Sequence, residues 1–330
     1  MNLDIIPPEN YDRRVFLGSS DIASVLGLQP RSWRTALGTW SRKVTEDTEP
    51  LPEKEKRKVL ARGQVVEPLV AGMLEVLHGI TGTVRGHRYA DPEVPYFAAE
   101  IDMEVPFHAV AHLFKDIISA DPGYLDDEIV NVEIKTVHPF AASEWGEEGS
   151  DEVPIHYAAQ VFWGLGVTRR RFAICAALFG ADDLVLYPIV RDDATIDGMR
   201  AKGKQFWEDY VLTGLPPPPT TLSDSALLWP QDDGSEVEAT EIAAAACVTL
   251  GAISASRKSY EDGEEVVKLL IREFMKNASV LTHNGIDVAT LKAQTTRTID
   301  AAKLKAEFPD AYKACLRLGT TRVLRLKETK

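Results

Sequence analysis

The segment Val132-Glu133-Ile134-Lys135-Thr136 sets an acid and a base two residues apart in a short alternating run. Side chains two apart share one face of a strand, so Glu133 and Lys135 project together. Such a pair on an otherwise apolar strand is costly to bury without a task. A hard divalent cation supplies one. The Glu133 carboxylate and the Ile134 backbone carbonyl are oxygen ligands of the kind magnesium takes. Lys135 beside them holds or polarises an attacking water. The same three residues also suit a solvated ion pair on an edge strand, so the reading needs further groups.

A second carboxylate is expected upstream. Asp102 lies in Phe-Ala-Ala-Glu-Ile-Asp-Met-Glu-Val, mid-strand, with Glu100 and Glu104 expected on the same face. Three acids on one face are unfavourable unless something positive binds there. Asp121 competes for the role; it is nearer to Glu133 but precedes Pro122 and Gly123, the signature of a turn. Glu67 follows Arg-Gly-Gln-Val-Val on an otherwise apolar helical stripe, as a further ligand or water acceptor or as a surface acid. Arg62 either meets a phosphate or ends a helix. Gln160, among Ala158, Ala159, Val161 and Phe162, is a buried amide that needs partners. It either bonds the nucleophilic water or the lysine, or is a satisfied core amide. Tyr157, three residues earlier, shares nearly its face.

These residues need elements to hold them. Residues 18–44 read as helix, Pro-marked turn and helix, with Ser20 or Asp21 as a cap. Residues 45–58 form a charged connector, and 62–78 an amphipathic helix. Extended runs follow at 82–90, 96–105 and 129–136. Residues 154–167 return to helix, a two-strand hairpin flanks Ala181 and Asp182, and a helix spans 193–212. The run Pro216–Pro219 marks a linker. Beyond it come an Ala-rich helix (239–255), a charged helix (256–278) and a basic tail of mixed structure. The pattern is α/β (α+β) over residues 1–218 and mainly helical over 219–330.

The net charge is −13, unevenly spread. Residues 101–150 carry eleven acids against two bases, and 291–330 carry ten bases against four acids. Acid at a centre with base around it suits a metal-dependent phosphodiesterase, and acidic loops also keep a protein in solution. The seven histidines form no HExxH, which argues against a zinc hydrolase. Cys175, Cys247 and Cys315 lie far apart, with no CxxC pair. No apolar run approaches the roughly 18 residues that span a bilayer, and the N-terminus does not read as a secretory signal. The expectation is a cytoplasmic protein, in the host cytoplasm if phage-encoded, with no membrane partner.

Taken in order, GSSDIASVLGL, RGQVVEP, AEID, EIKT, WGEEGSDEVPIHYAAQ, the hairpin and KQFWEDYVLTGLPPP resemble the YqaJ-like viral recombinase family, related to bacteriophage lambda exonuclease and to the PD-(D/E)XK nucleases. The likeness runs over about residues 11–218. It implies a restriction-endonuclease-like core, a central mixed sheet flanked by helices. It implies a magnesium-dependent exonuclease, with manganese as a substitute, that digests linear double-stranded DNA from its ends, typically 5′ to 3′, for recombination. By position, Asp102 and Glu133 become metal ligands with the Ile134 carbonyl, and Lys135 positions the nucleophile. Glu67 and Gln160 support them. Ser19, Ser20 and Arg62 lie near DNA phosphates, for which helix-start amides are suited, and Tyr157 joins this DNA-facing set. The spacing departs from the family: Asp102 stands thirty-one residues before Glu133, which keeps Asp121 as the alternative ligand.

Expected partners are DNA ends, a single-strand annealing protein and further copies of the chain. Residues 219–330 are expected to serve oligomerisation, a partner or DNA, with Arg317, Arg322, Arg325 and Lys327 available to phosphates. Two other functions fit the same residues: a nicking or structure-selective endonuclease, and an inactive DNA-end or partner-binding module.

Overall fold

A computed structural model describes residues 4–7, 12–30, 33–45, 54–82, 84–115, 128–317 and 319–327; the side chains of 54–64, 84 and 85 fall outside that description. Asp121 lies outside the described residues, so the choice between it and Asp102 is addressed only from the side of Asp102. The chain forms two compact units, Met1–Ser225 and Ala226–Lys330. Asp224, near the end of the first, accepts hydrogen bonds from Thr35 Oγ1 (2.6 Å) and the Thr220 amide (2.8 Å). The turn after the proline run is thereby tied to the first unit.

Helices α1 (Ser19–Val25), α2 (Ala36–Val44) and α3 (Lys54–His78) come first. The residues expected to connect the last two in part join α3 instead. Lys54–Leu60 is built of strong helix formers, and their propensity extends the helix N-terminally from the expected start at 62. Strands β1 (Val84–Ala90) and β2 (Ala98–Pro106) are followed by a single turn, α4 (Phe107–Val110), then β3 (Ile129–Val137). Helix α5 (Ile155–Thr168) leads to β4 (Phe172–Phe179) and β5 (Asp183–Val190), and α6 (Asp193–Phe206) follows.

The five strands form one sheet in the order β1-β2-β3-β4-β5. Only β3 and β4 are parallel; the other neighbours are antiparallel. A parallel pair needs a crossover, and α5 supplies it. This is the mixed sheet flanked by helices that the sequence leads one to expect.

Alternation on β3 divides its side chains between two layers. Val130, Val132 and Ile134 pack with Val70 and Leu74 of α3. Asn131 turns the other way and donates to Thr168 Oγ1 of α5 (3.1 Å). Strand β4 is buried at every residue, as a central strand covered on both faces should be. The α5 layer is built around Trp163, which packs with Leu17, Phe97 and Ile101 and donates from Nε1 to the Ala98 carbonyl (3.0 Å).

The second unit contains α7 (Leu222–Leu228) in part, α8 (Glu241–Met275), a hairpin of β6 (Val280–His283) and β7 (Ile286–Thr290), and the short α9 (Ala301–Glu307) and α10 (Pro309–Cys315). Two helices were expected where α8 runs unbroken. The change from alanines to charges near Ser256 alters the helix surface and not the backbone, because both halves are rich in helix formers and neither contains proline. Thr240 caps its start, accepting from the Ala243 amide (3.2 Å). No helix among the described residues is long and apolar enough to cross a membrane.

Candidate active site

The ladder between β2 and β3 runs from Met103↔Val132 to Pro106↔Ile129 and stops there. Strand β2 continues to Ala98 paired with β1. The two strands therefore part at Asp102. In place of the next ladder bond, the Ile134 amide donates to Asp102 Oδ2 at 2.8 Å. In a strand, the N–H and C=O of one residue point the same way. The Ile134 carbonyl therefore also faces the gap beside Asp102, where no β2 amide meets it in the ladder.

A kink accompanies the parting. Gly86 of β1 has φ +66, a conformation that favours glycine. It lies between the residues paired with Ile101 and Met103. Across this point the odd-numbered side chains of β2 change layer. Ile101 packs in the cluster of Trp163, while Met103 packs in that of Leu74.

Glu133 and Lys135 share the α5 side of β3 and form an ion pair through Glu133 Oε1. The Lys135 ammonium also lies 5.3 Å from the centre of the Tyr157 ring, so a cation–π contact fixes its other side. Burial alone would favour neutral Lys135, but Glu133 and Asp102 outweigh it and hold the ammonium charged. Burial, then the Glu133 charge, push the Asp102 carboxyl well above its usual range; Lys135 and the Ile134 amide offset this only in part. Glu67, from α3, reaches the same field. Burial raises its carboxyl, Lys135 opposes, and Glu100 and Glu133 add to the rise. The cluster has more carboxylates than cations, an imbalance that a bound divalent ion relieves.

The donor set decides which ion fits. Cys175 stands beside Glu133 on β4, but burial pushes its thiol up to about 12, so it presents no thiolate. Oxygen donors remain: Asp102, Glu133 and the Ile134 carbonyl, with Glu67 nearby. Among the described residues no three His, Cys, Asp or Glu side chains close around one point. Two carboxylates and a carbonyl leave positions open to water and substrate, which is how magnesium is usually held. The residues present therefore fit a magnesium-type ion and do not fit zinc.

The structure does not place every expected residue in this group. Glu100 and Glu104, expected to share the face of Asp102, have cations of their own. Arg88 Nε donates to Glu100 at 3.0 Å, and Arg170 Nη1 donates to Glu104 at 2.7 Å. Tyr89 also donates to Glu104 (2.6 Å), and Arg170 to Asn131 (2.6 Å). Glu104 therefore belongs to a buried structural network. Gln160 is buried on α5 one turn beyond Tyr157, and it forms no hydrogen bond with Glu133 or Lys135. Ser19 opens α1, and its buried Oγ has no hydrogen-bond partner among the described residues; Ser20 is exposed. Helix α1 packs on α5, the helix that carries Tyr157. Arg62 lies within α3, with its side chain outside the described residues.

One group beside the site was not singled out from sequence. His156 is tilted against Tyr157 with ring centroids 4.1 Å apart, and half-exposed Trp33 meets His156 edge-on at 5.1 Å. Adjacency of His156 to Tyr157 was the only available signal. Asp21, expected as a cap of α1, accepts from Lys43 (2.7 Å), Arg34 (2.8 Å) and the Gly18 amide (3.2 Å).

Comparison with known proteins follows from these observations. Residues 11–171 match the YqaJ-like viral recombinase domain. The chain is 26% identical over 309 residues to the uncharacterized protein YqaJ of Bacillus subtilis (strain 168), covering 91% of this chain and 88% of that one. Among solved structures, it is similar to an alkaline exonuclease (LHK-Exo) from Laribacter hongkongensis. There the identity is 15% and the TM-score 0.45, over 62% of this chain and 91% of that one. A phage-related exonuclease from Haemophilus somnus 129PT gives 12% and 0.38, over 60% and 94%.

Proposed function

We propose, from the match of residues 11–171 to the YqaJ-like viral recombinase domain, that this chain is a magnesium-dependent deoxyribonuclease, an exonuclease that degrades one strand of linear duplex DNA from its 5′ end during recombination. The observation that carries the reading is the parting of β2 from β3 at Asp102. It turns a carboxylate and a backbone carbonyl into one gap beside Glu133 and Lys135.

Asp102, Glu133 and the Ile134 carbonyl would hold magnesium, with manganese as a substitute; when bound, it supplies charge stabilisation at the scissile phosphate and makes bound water more acidic. Lys135 is an ammonium and so only donates hydrogen bonds. Its role is to orient the attacking water or a phosphate oxygen, not to take a proton. Tyr157 beneath it and Glu133 beside it restrict where that ammonium points. Glu67 would accept a hydrogen bond from water in the same field. Ser19 and Ser20 are assigned to the DNA backbone, and Gln160 to support of α5 near the lysine. Double-stranded DNA ends are the substrate, a single-strand annealing protein is the expected companion, and the active species is a homo-oligomer.

The test follows a labelled linear duplex through digestion. With magnesium, a 5′ label should appear as mononucleotide at the earliest times, while a 3′ label stays on long strands. EDTA should stop both. Early release of the 3′ label would reverse the proposed polarity, and internal fragments from the outset would contradict an exonuclease.

A further inference from the structure

Helix α8 is 35 residues long, about 52 Å, yet Met275 is the only residue in it that is buried. Among its exposed large apolar residues, one row is regular. Ile253, Tyr260, Val267 and Phe274 recur every seven residues and are 60%, 80%, 55% and 77% exposed. In the alternate seam positions lie Thr249, just before the row, and Ser256, Gly263 and Leu270 within it. This is the spacing of a two-helix seam, in which one apolar row needs a facing helix. The chain's own tail lies elsewhere. A side chain at Gly251 would meet Leu326 at 3.7 Å, and Gly251 is on the opposite side of the helix from the seam.

Size and charge both identify the occupant. Antiparallel to itself, α8 sets Tyr260, Val267 and Phe274 of one copy against small residues of the other. Tyr260 falls opposite Gly263, where added volume meets nothing within 4 Å in the single chain. Ile253 falls opposite Leu270, Val267 opposite Ser256, and Phe274 opposite Thr249. In the same register Arg257 flanks Glu264 of the facing copy, and the two-fold repeats the pair. Both groups now make only exposed contacts within their own helix, Arg257 with Glu261 (3.5 Å) and Glu264 with Lys268 (2.6 Å), which cost little to exchange. A parallel pairing is worse on both counts. It stacks Tyr260 on Tyr260, leaves Gly263 facing Gly263, and brings no opposite charges together along the seam.

We propose that α8 is an interaction surface for a second copy of this chain, paired antiparallel about the Tyr260–Gly263 region through the Ile253–Tyr260–Val267–Phe274 stripe. The contact is isologous, as a two-fold requires. It is independent of the catalytic reading, since none of its residues belongs to the site on the sheet.

Cross-linking of the full chain tests the direction directly, in a background with Cys247→Ser and Cys315→Ser. The double variant Ile253→Cys/Leu270→Cys should be joined to a dimer by a short thiol cross-linker, because these positions face each other across copies. Within one helix they are seventeen residues apart and out of reach. Each single variant should remain uncross-linked. Cross-linking of the singles would establish a parallel pairing and overturn the proposal, as would a monomeric mass for the full chain at tens of micromolar. A second measurement does not depend on cysteine variants folding. Arg257→Glu should weaken the dimer on the order of tenfold, and Arg257→Glu/Glu264→Arg should restore it. Loss without restoration would contradict the register.

Discussion

Lys135→Ala is expected to lower the rate of DNA hydrolysis by about a thousandfold while leaving the fold intact, the effect typical of removing one aimed donor from a charged transition state. Glu133→Gln should lose as much, for a different reason. Glu133 and Asp102 are the two carboxylates at the parted strands, so Glu133→Gln would remove a proposed metal ligand as well as the partner of Lys135. The two variants should separate in a metal titration. In Lys135→Ala the competing ammonium is gone and both carboxylates remain, so manganese should bind at least as tightly as to the wild type. In Glu133→Gln it should bind markedly more weakly. Full hydrolysis by Lys135→Ala would remove the lysine from the mechanism. Equal metal affinity in all three proteins would remove the metal from this gap.

The largest effect on stability is expected at Asp21. Its carboxylate receives two cations and an amide, and the Lys43 side chain is only 3% exposed. Lys43 also donates to the Arg13 carbonyl (2.5 Å) and to that of Phe16, so it ties the entry of the chain to α1 and α2. Burial raises the Asp21 carboxyl, but Lys43 and Arg34 together overcome it, and the group is held below its usual range. Burial wins at Lys43, whose affinity for its proton falls because it has one carboxylate and two neighbouring arginines. With two cations and an amide around it, the carboxylate is held charged, and it governs the acid side of the stability curve.

Asp21→Ala leaves a buried ammonium without its counter-charge, which costs about 3 to 5 kcal/mol. For the first unit that is a fall in melting temperature of roughly 6 to 20 °C. Replacing Asp21 and Lys43 together by apolar residues should recover most of it. A folded pKa below the unfolded one gives stability that is present above the unfolded value and lost as pH falls through the folded value. Wild type should therefore lose stability more steeply than Asp21→Ala below about pH 4. Parallel pH curves for the two proteins would show that Asp21 is not held in its charged form.

What the sequence made legible follows from period and chemistry. Alternation alone puts Glu133 and Lys135 on one face, and the structure pairs them. An acid centred in a strand drew attention to Asp102, but its contact with the Ile134 amide depends on where a ladder ends. That end coincides with the left-handed Gly86 in a neighbouring strand, and no local pattern around Asp102 encodes it. Glu100 and Glu104 looked equivalent to Asp102 because their cations depend on pairing: Arg88 faces Glu100 across β1 and β2, and Arg170 comes from a distant segment. Asp21 read as a helix cap, and its carboxylate does accept the Gly18 amide; its burial against Lys43 arises from the packing of α1 on α2. The mixed sheet was expected from the resemblance, but its order β1-β2-β3-β4-β5 was not, because pairing between strands is non-local. The single α8 was missed because a change in surface charge resembles a boundary.

The most direct measurement offers the wild-type protein linear and covalently closed circular duplex DNA of the same sequence, with magnesium or with EDTA. The expected result is loss of the linear form only, and only with magnesium, because the proposed enzyme acts on a strand end. Cleavage of the closed circle would contradict an end-dependent enzyme, and digestion that persists in EDTA would contradict a metal held by Asp102 and Glu133.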